Sequence, residues 1–167
     1  ATGAALPEYA SLKFRPGSGN MSDFNVGSAC SYPMMRVEEM YFIEAEAAAQ
    51  QNPAQGVNLL NDFMSNYRDP QYKCTKSSKE DVVKEIVFQK RVELWGEGQS
   101  FFDIKRLNLP VTRGYAGTLH HTIGRFNTTT RPAWMNFCIV RSEGNNNTAL
   151  VGFENPDPSD VYSSWAE

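Results

Sequence analysis

Residues 79–107 read KEDVVKEIVFQKRVELWGEGQSFFDIKRL, and their spacing decides the fold. Val82, Val83, Ile86, Val87, Leu94 and Trp95 recur three, four and seven apart, as one face of an α-helix requires. Charged Glu80, Asp81, Lys84, Glu85, Lys90, Arg91 and Glu93 fill the gaps. Ser77 or Ser78 is placed to accept a bond from the first free backbone N–H groups, and Glu80 and Asp81 suit the positive helix end. This predicts a helix over 79–96. Gly96 and Gly98 interrupt it; Phe101, Phe102, Ile104 and Leu107 begin another apolar face over 99–107, and Pro110 stops it.

Arg91, Glu93, Glu97, Asp103 and Arg106 have two readings: catalytic or ligand-binding groups, or ion pairs and helix-end bonds that lock the bend around Gly96 and Gly98. The second is simpler, because the planar fork of an arginine bonds carboxylates and chain-end carbonyls bidentately. On it, Arg91 clamps the corner.

Upstream, residues 34–51 predict a helix with an apolar face of Val37, Met40, Tyr41, Ala45, Ala48 and Ala49. The small alanines allow close approach of a neighbour. Glu44 and Glu46 stand two apart and so point to different sides, which favours a core ion pair over paired catalytic carboxylates. Asn52 and Pro53 read as a cap and a first helical residue. A second helix over 53–67 follows, with Val57, Leu60, Phe63, Met64 and Tyr67 inward. The fold class is therefore mainly α: antiparallel helical hairpins of tetratricopeptide type, the second pairing 79–96 with 99–107. A polar linker joins the hairpins and contains Tyr72, a surface or hinge-packing residue.

The flanks are less regular. Tyr9, Leu12 and Phe14 alternate as in a short strand within an irregular lead-in over 1–33. Residues 108–136 form a long loop with Tyr115, His120, His121, Phe126, Trp134, three arginines and several Asn and Thr. Loops of that length in compact domains tend to carry function. Aromatic faces stack on the C–H surfaces of sugars, while amides and guanidinium groups bond hydroxyls. Trp134, Tyr115 and His120 are the candidate ligand-binding residues; the alternative packs Trp134 and Phe126 into the scaffold. Residues 137–140, FCIV, read as a short buried strand, Glu143 to Asn147 as a polar turn, and the end as a Pro-interrupted tail carrying Trp165. All of this fits one domain, 1–167, with hairpins over 34–107 and a loop-rich segment over 108–167.

A net charge of −3 argues against a nucleic-acid surface, and no apolar run reaches the roughly 18 residues that span a bilayer. No signal peptide pattern opens the chain. Cys30, Cys74 and Cys138 lack metal or redox spacing; one disulfide with a free thiol, or three buried thiols, both suit them. No cofactor and no metal site is expected.

The run KRVELWGEGQSFFDIKRL resembles the "ER-x-EL-x-x-EG-x-R-x-x-DL-x-R" signature of the SusD/RagB family, through Lys90, Arg91, Glu93, Leu94, Glu97, Gly98, Asp103 and Arg106. Lys90 stands where the family usually has Glu, and Gln99-Ser100 where it often has His-Arg or Gln-Arg. MRVEEMYFIEAEAAA resembles the family's "R-x-x-E-x-Y-L-x-x-AEA" helix through Arg36, Glu39, Tyr41, Ala45, Glu46 and Ala47, and LLNDFMSNYRD a further segment. The tail resembles the closing segment at Ile139, Glu143, Leu150, Asn155 and Pro156. The resemblance implies a C-terminal portion of a non-catalytic, glycan-binding outer-membrane lipoprotein. Such a protein passes oligosaccharide to a SusC-like TonB-dependent transporter, and its export signal and lipid-bearing Cys lie upstream. It carries over no sugar-binding residue. Two other readings compete: a helical-repeat adaptor for another protein, and a glycoside hydrolase using Glu93, Glu97 or Asp103, which no catalytic motif supports.

Overall fold

The computed structural model describes residues 13–14 and 29–155. The expected strand around Tyr9 and Leu12, and the tail with Trp165, lie outside the described residues. The chain divides into two compact units, Ala1–Glu97 and Gly98–Glu167.

In the first unit α1 (Val37–Gln51) and α2 (Pro53–Tyr67) form a hairpin, and α3 (Lys79–Glu93) packs on both. The turn forms because the Asn52 side chain accepts from the Ala54 N–H at 3.1 Å and Pro53 opens α2 with its φ already helical. Of the two candidate serines, Ser78 caps α3, accepting from the Asp81 N–H at 3.1 Å. The linker is tied down as it crosses the core: Tyr72 donates to Glu85 Oε1 at 2.8 Å, and the Cys74 N–H to Asn61 Oδ1 at 2.8 Å.

The core joins Phe42, Ala45 and Ala49 of α1, Leu60 and Phe63 of α2, Cys74, and Val82 and Ile86 of α3. Each large apolar side chain buried here contributes about 1.5–3 kcal/mol. Gly56 sets the helix spacing: a Cβ there would overlap the Ala49 methyl and stand 2.8 Å from Ala49 Cα and 2.9 Å from Ala45 O. Alanine on one helix and glycine on the other therefore permit the close approach.

Several expectations are corrected. Helix α1 begins at Val37 rather than 34, because Arg36 is extended at the N-cap. Its buried face is Phe42, Ala45, Glu46 and Ala49, whereas Val37, Met40 and Tyr41 are exposed. Helix α3 ends at Glu93, not 96; Leu94 caps it, and Gly96 follows with φ 77°. Trp95 is thereby released from the core.

In the second unit α4 (Gln99–Leu107) ends at Asn108, left-handed at φ 53°. Its fully buried residue is Asp103, while Phe102 is 63% exposed, the reverse of the expected face. Residues 137–140 form no strand: Phe137 and Val140 are exposed, and the β-bridge recorded among the described residues joins Thr112 to Asn127 instead. An apolar run without a ladder partner has nothing to bury it as a strand. Instead of a polar turn, α5 (Arg141–Asn146) follows. No disulfide joins the three cysteines, and Cys74 is buried whereas Cys138 is exposed, so neither expected cysteine arrangement holds.

Candidate functional site

Arg36 stands just before α1, and its guanidinium turns to the end of α3. Its Nη1 donates to Glu97 Oε1 at 2.8 Å and to the Glu93 backbone carbonyl at 3.1 Å. Its Nη2 pairs with the Glu93 carboxylate and with Glu38 Oε1 at 3.0 Å. Arg68, just past α2, grips Glu93 from the other side through Nε to Oε2 at 2.6 Å and Nη2 to Oε1 at 2.8 Å. Lys13 pairs with Glu97 and donates to the Glu93 carbonyl at 3.1 Å. Two cations thus meet the last carbonyl of α3, where the helix leaves acceptors unfilled.

Electrostatics follows this geometry. The Glu93 carboxyl is held below its usual range by the Arg68 bond and then by Arg36, against burial. Burial pushes Glu97 up, but Lys13 and Arg36 outweigh it and hold the carboxyl low. Burial likewise acts against the charge of Arg36, yet its bonds to Glu97, Glu38 and Glu93 raise its pKa further. Every charge here is opposed by another, so the knot stabilises the α1–α3 junction and offers no free acid or base.

Arg91, expected as the clamp, stands on the exposed side of α3 and takes no part in this knot. Its place is taken by Arg36 and Arg68. Nothing in the helical spacing pointed to Arg68 or Lys13; the one available signal for Arg68 was a cation just past a helix end, where terminal carbonyls attract one. Glu46 is buried on the core face of α1. In the second unit Asp103 Oδ1 accepts from Arg106 Nε at 2.9 Å.

The loop over 108–136 is braced. Thr128 N donates to Val111 O at 2.9 Å, the Val111 N–H to Thr128 Oγ1 at 2.9 Å, and Arg113 N to Phe126 O at 3.0 Å. The Asn127 amide closes it, accepting from the Gly114 N–H at 2.9 Å and donating to Gly114 O at 2.8 Å. Arg131 Nη1 reaches back to Lys105 O at 3.2 Å on the last turn of α4. Trp134 is 38% exposed and meets Phe126 edge to face at 6.1 Å between centroids; the Arg113 guanidinium covers Phe126 at 5.1 Å. Tyr115 is exposed, and His120 lies at the tip, its carbonyl accepting from Arg125 Nε at 2.7 Å. Among the described residues no ring contact joins Tyr115 or His120 to Trp134. No group of three His, Cys, Asp or Glu able to hold a metal occurs among the described residues, and no described helix is long and apolar enough to cross a membrane.

The sequence profile of the SusD family matches residues 9–156. Among solved structures, the fold is similar to a SusD-like carbohydrate binding protein from Bacteroides vulgatus ATCC 8482, with 26% identity and a TM-score of 0.58. That match covers 86% of this chain but 34% of the other, so this chain spans about a third of that protein's length. No curated protein matches it. The profile takes in both the hairpin with its arginine–glutamate knot and the braced loop, and the chain belongs to the SusD family.

Proposed function

We propose that this chain is part of a non-catalytic surface protein that holds oligosaccharide and delivers it to a SusC-like TonB-dependent transporter of the outer membrane. On this reading the 167 residues are one domain of that protein. The helices act as scaffold, and the 108–136 loop touches the ligand. The observation that carries the reading is Trp134: half-exposed and held edge to face against Phe126, a ring that the Arg113 guanidinium also covers. A pinned, half-exposed indole suits a sugar ring, whose C–H face meets the negative surface of the aromatic ring. Tyr115 and His120 extend the same loop and are secondary contacts. Support also comes from the SusD-like neighbour, which is described as a carbohydrate binding protein.

The test is calorimetric titration of the chain with neutral hexasaccharides of α-glucan, β-glucan, xylan and mannan. Trp134→Ala is expected to weaken the binding of the preferred sugar about tenfold, a loss of about 1.4 kcal/mol. Equal affinity of wild type and Trp134→Ala would remove Trp134 from the site.

A further inference from the structure

A second set of aromatic rings lies in the first unit. Phe14 and Tyr32 stack at 4.9 Å between centroids with planes 21° apart. Trp95 meets the same Phe14 at 5.7 Å, tilted by 37°. The arrangement is anchored in two ways. Phe14 sits so close over Gly96 that a Cβ there would overlap its ring. Lys13, its neighbour in sequence, is tied to Glu97 and to the Glu93 carbonyl and holds Nζ 5.7 Å from the Phe14 centroid. The central ring is thus pinned to the end of α3, while the outer two are open to solvent: Tyr32 is 62% exposed and Trp95 54%.

A ring cluster that serves only as core buries its outer members. This one keeps them outward and fixes the middle one. Gly96, left-handed at φ 77°, turns Trp95 out of the helix register and leaves room for Phe14 in the same step. We propose that Tyr32, Phe14 and Trp95 form a second sugar platform, on which a neutral oligosaccharide lays the C–H faces of its rings against Tyr32 and Trp95. This rests on the oligosaccharide-binding reading and adds a separate contact region to it. The negative faces of aromatic rings attract the weakly positive C–H groups of a pyranose. Tyr32 and Trp95 each rest against the pinned Phe14 ring, which reduces the conformational freedom they lose on binding.

The experiment uses the full chain and whichever of the four hexasaccharides binds it best. Trp95→Ala and Tyr32→Ala are each expected to weaken binding about tenfold, while Trp95→Tyr, which keeps a flat face, stays within about threefold. A second measurement needs no variant: N-bromosuccinimide oxidation of Trp95 in the wild-type chain, read by peptide mass spectrometry, is expected to slow at saturating hexasaccharide. If Trp134→Ala weakens binding while both platform variants bind like wild type and Trp95 oxidises at its unliganded rate, the platform is overturned and the loop reading stands. If no hexasaccharide binds the wild-type chain, both readings fall together.

Discussion

Arg36 Nη1 and Glu97 Oε1 meet at 2.8 Å across sixty-one positions of sequence, with the Glu97 side chain only 6% exposed. The pair joins the start of α1 to the turn that follows α3. It is supported on both sides, by Lys13 on Glu97 and by Glu93 on Arg36. A network of this kind orders its side chains once for several bonds, so each bond is worth more than an isolated surface pair.

Arg36→Ala is expected to destabilise the chain by about 2–3 kcal/mol, between an exposed pair and a fully buried one. Glu93 and Glu97 would remain, partly buried and short of their shared cation. Arg91→Ala, on the exposed side of α3, is expected to change stability by less than about 0.5 kcal/mol. Urea unfolding of the two variants checks both values. Equal midpoints would mean that the knot contributes nothing beyond its geometry.

Acid should release the knot. Glu93, Glu97 and Glu38 all have folded pKa values held below their usual value. Their contribution is therefore complete above the unfolded value near pH 4.5 and is lost as pH falls through the lower folded values. The melting temperature should accordingly be level from neutral pH to about pH 5 and fall below pH 4.5. Arg36→Met should start lower and fall less steeply, because its carboxylates are less depressed. Parallel curves for wild type and Arg36→Met would rule the knot out as the source of acid sensitivity.

The local grammar of this chain was legible. Asn52 and Pro53, Ser78, and the Gly96 break all sit where capping and backbone freedom demand. What failed was the choice of face. Helix α1, VEEMYFIEAEAAAQQ, scatters its apolar residues over every face between its glutamates, so its periodicity does not single out Phe42 as the residue that enters the core. Helix α4 carries two adjacent phenylalanines, yet it turns Asp103 inward, because a carboxylate bonded by Arg106 three residues on can be buried. The knot lies beyond spacing arguments altogether. Arg36 and Glu97 stood out only as members of two separate family-like motifs, which do not pair them, and nothing singled out Lys13.

Gly56 separates two effects that usually coincide. Alanine is the better helix former by about 1 kcal/mol. At this position its methyl would overlap that of Ala49, with Ala49 Cα and Ala45 O also within 3 Å, and both of those are backbone that cannot rotate away. Gly56→Ala is therefore expected to lower stability by a net of about 1–3 kcal/mol, as overpacking does. Ala49→Gly on the same background removes one of the colliding groups and should recover part of the loss. A Gly56→Ala chain as stable as wild type would show that the hairpin opens at little cost.

Asn127 offers a test of the loop that does not depend on any ligand. Its Oδ1 accepts from both Arg113 N and Gly114 N, and its Nδ2 donates to Gly114 O. Asn127→Ala removes all three bonds at a site open to water, so the expected loss is about 1–2 kcal/mol, local to the loop. Hydrogen exchange at the Arg113 and Gly114 amides should quicken. Asn127→Asp retains the acceptor and removes the donor, so Gly114 should stay more protected than in the alanine variant. If the side chain acts as a clamp, the order of protection is Asn, then Asp, then Ala. If the backbone bond from Arg113 N to Phe126 O suffices to hold the two segments together, all three exchange alike, and Trp134 owes its position to Phe126 and Arg113 without help from Asn127.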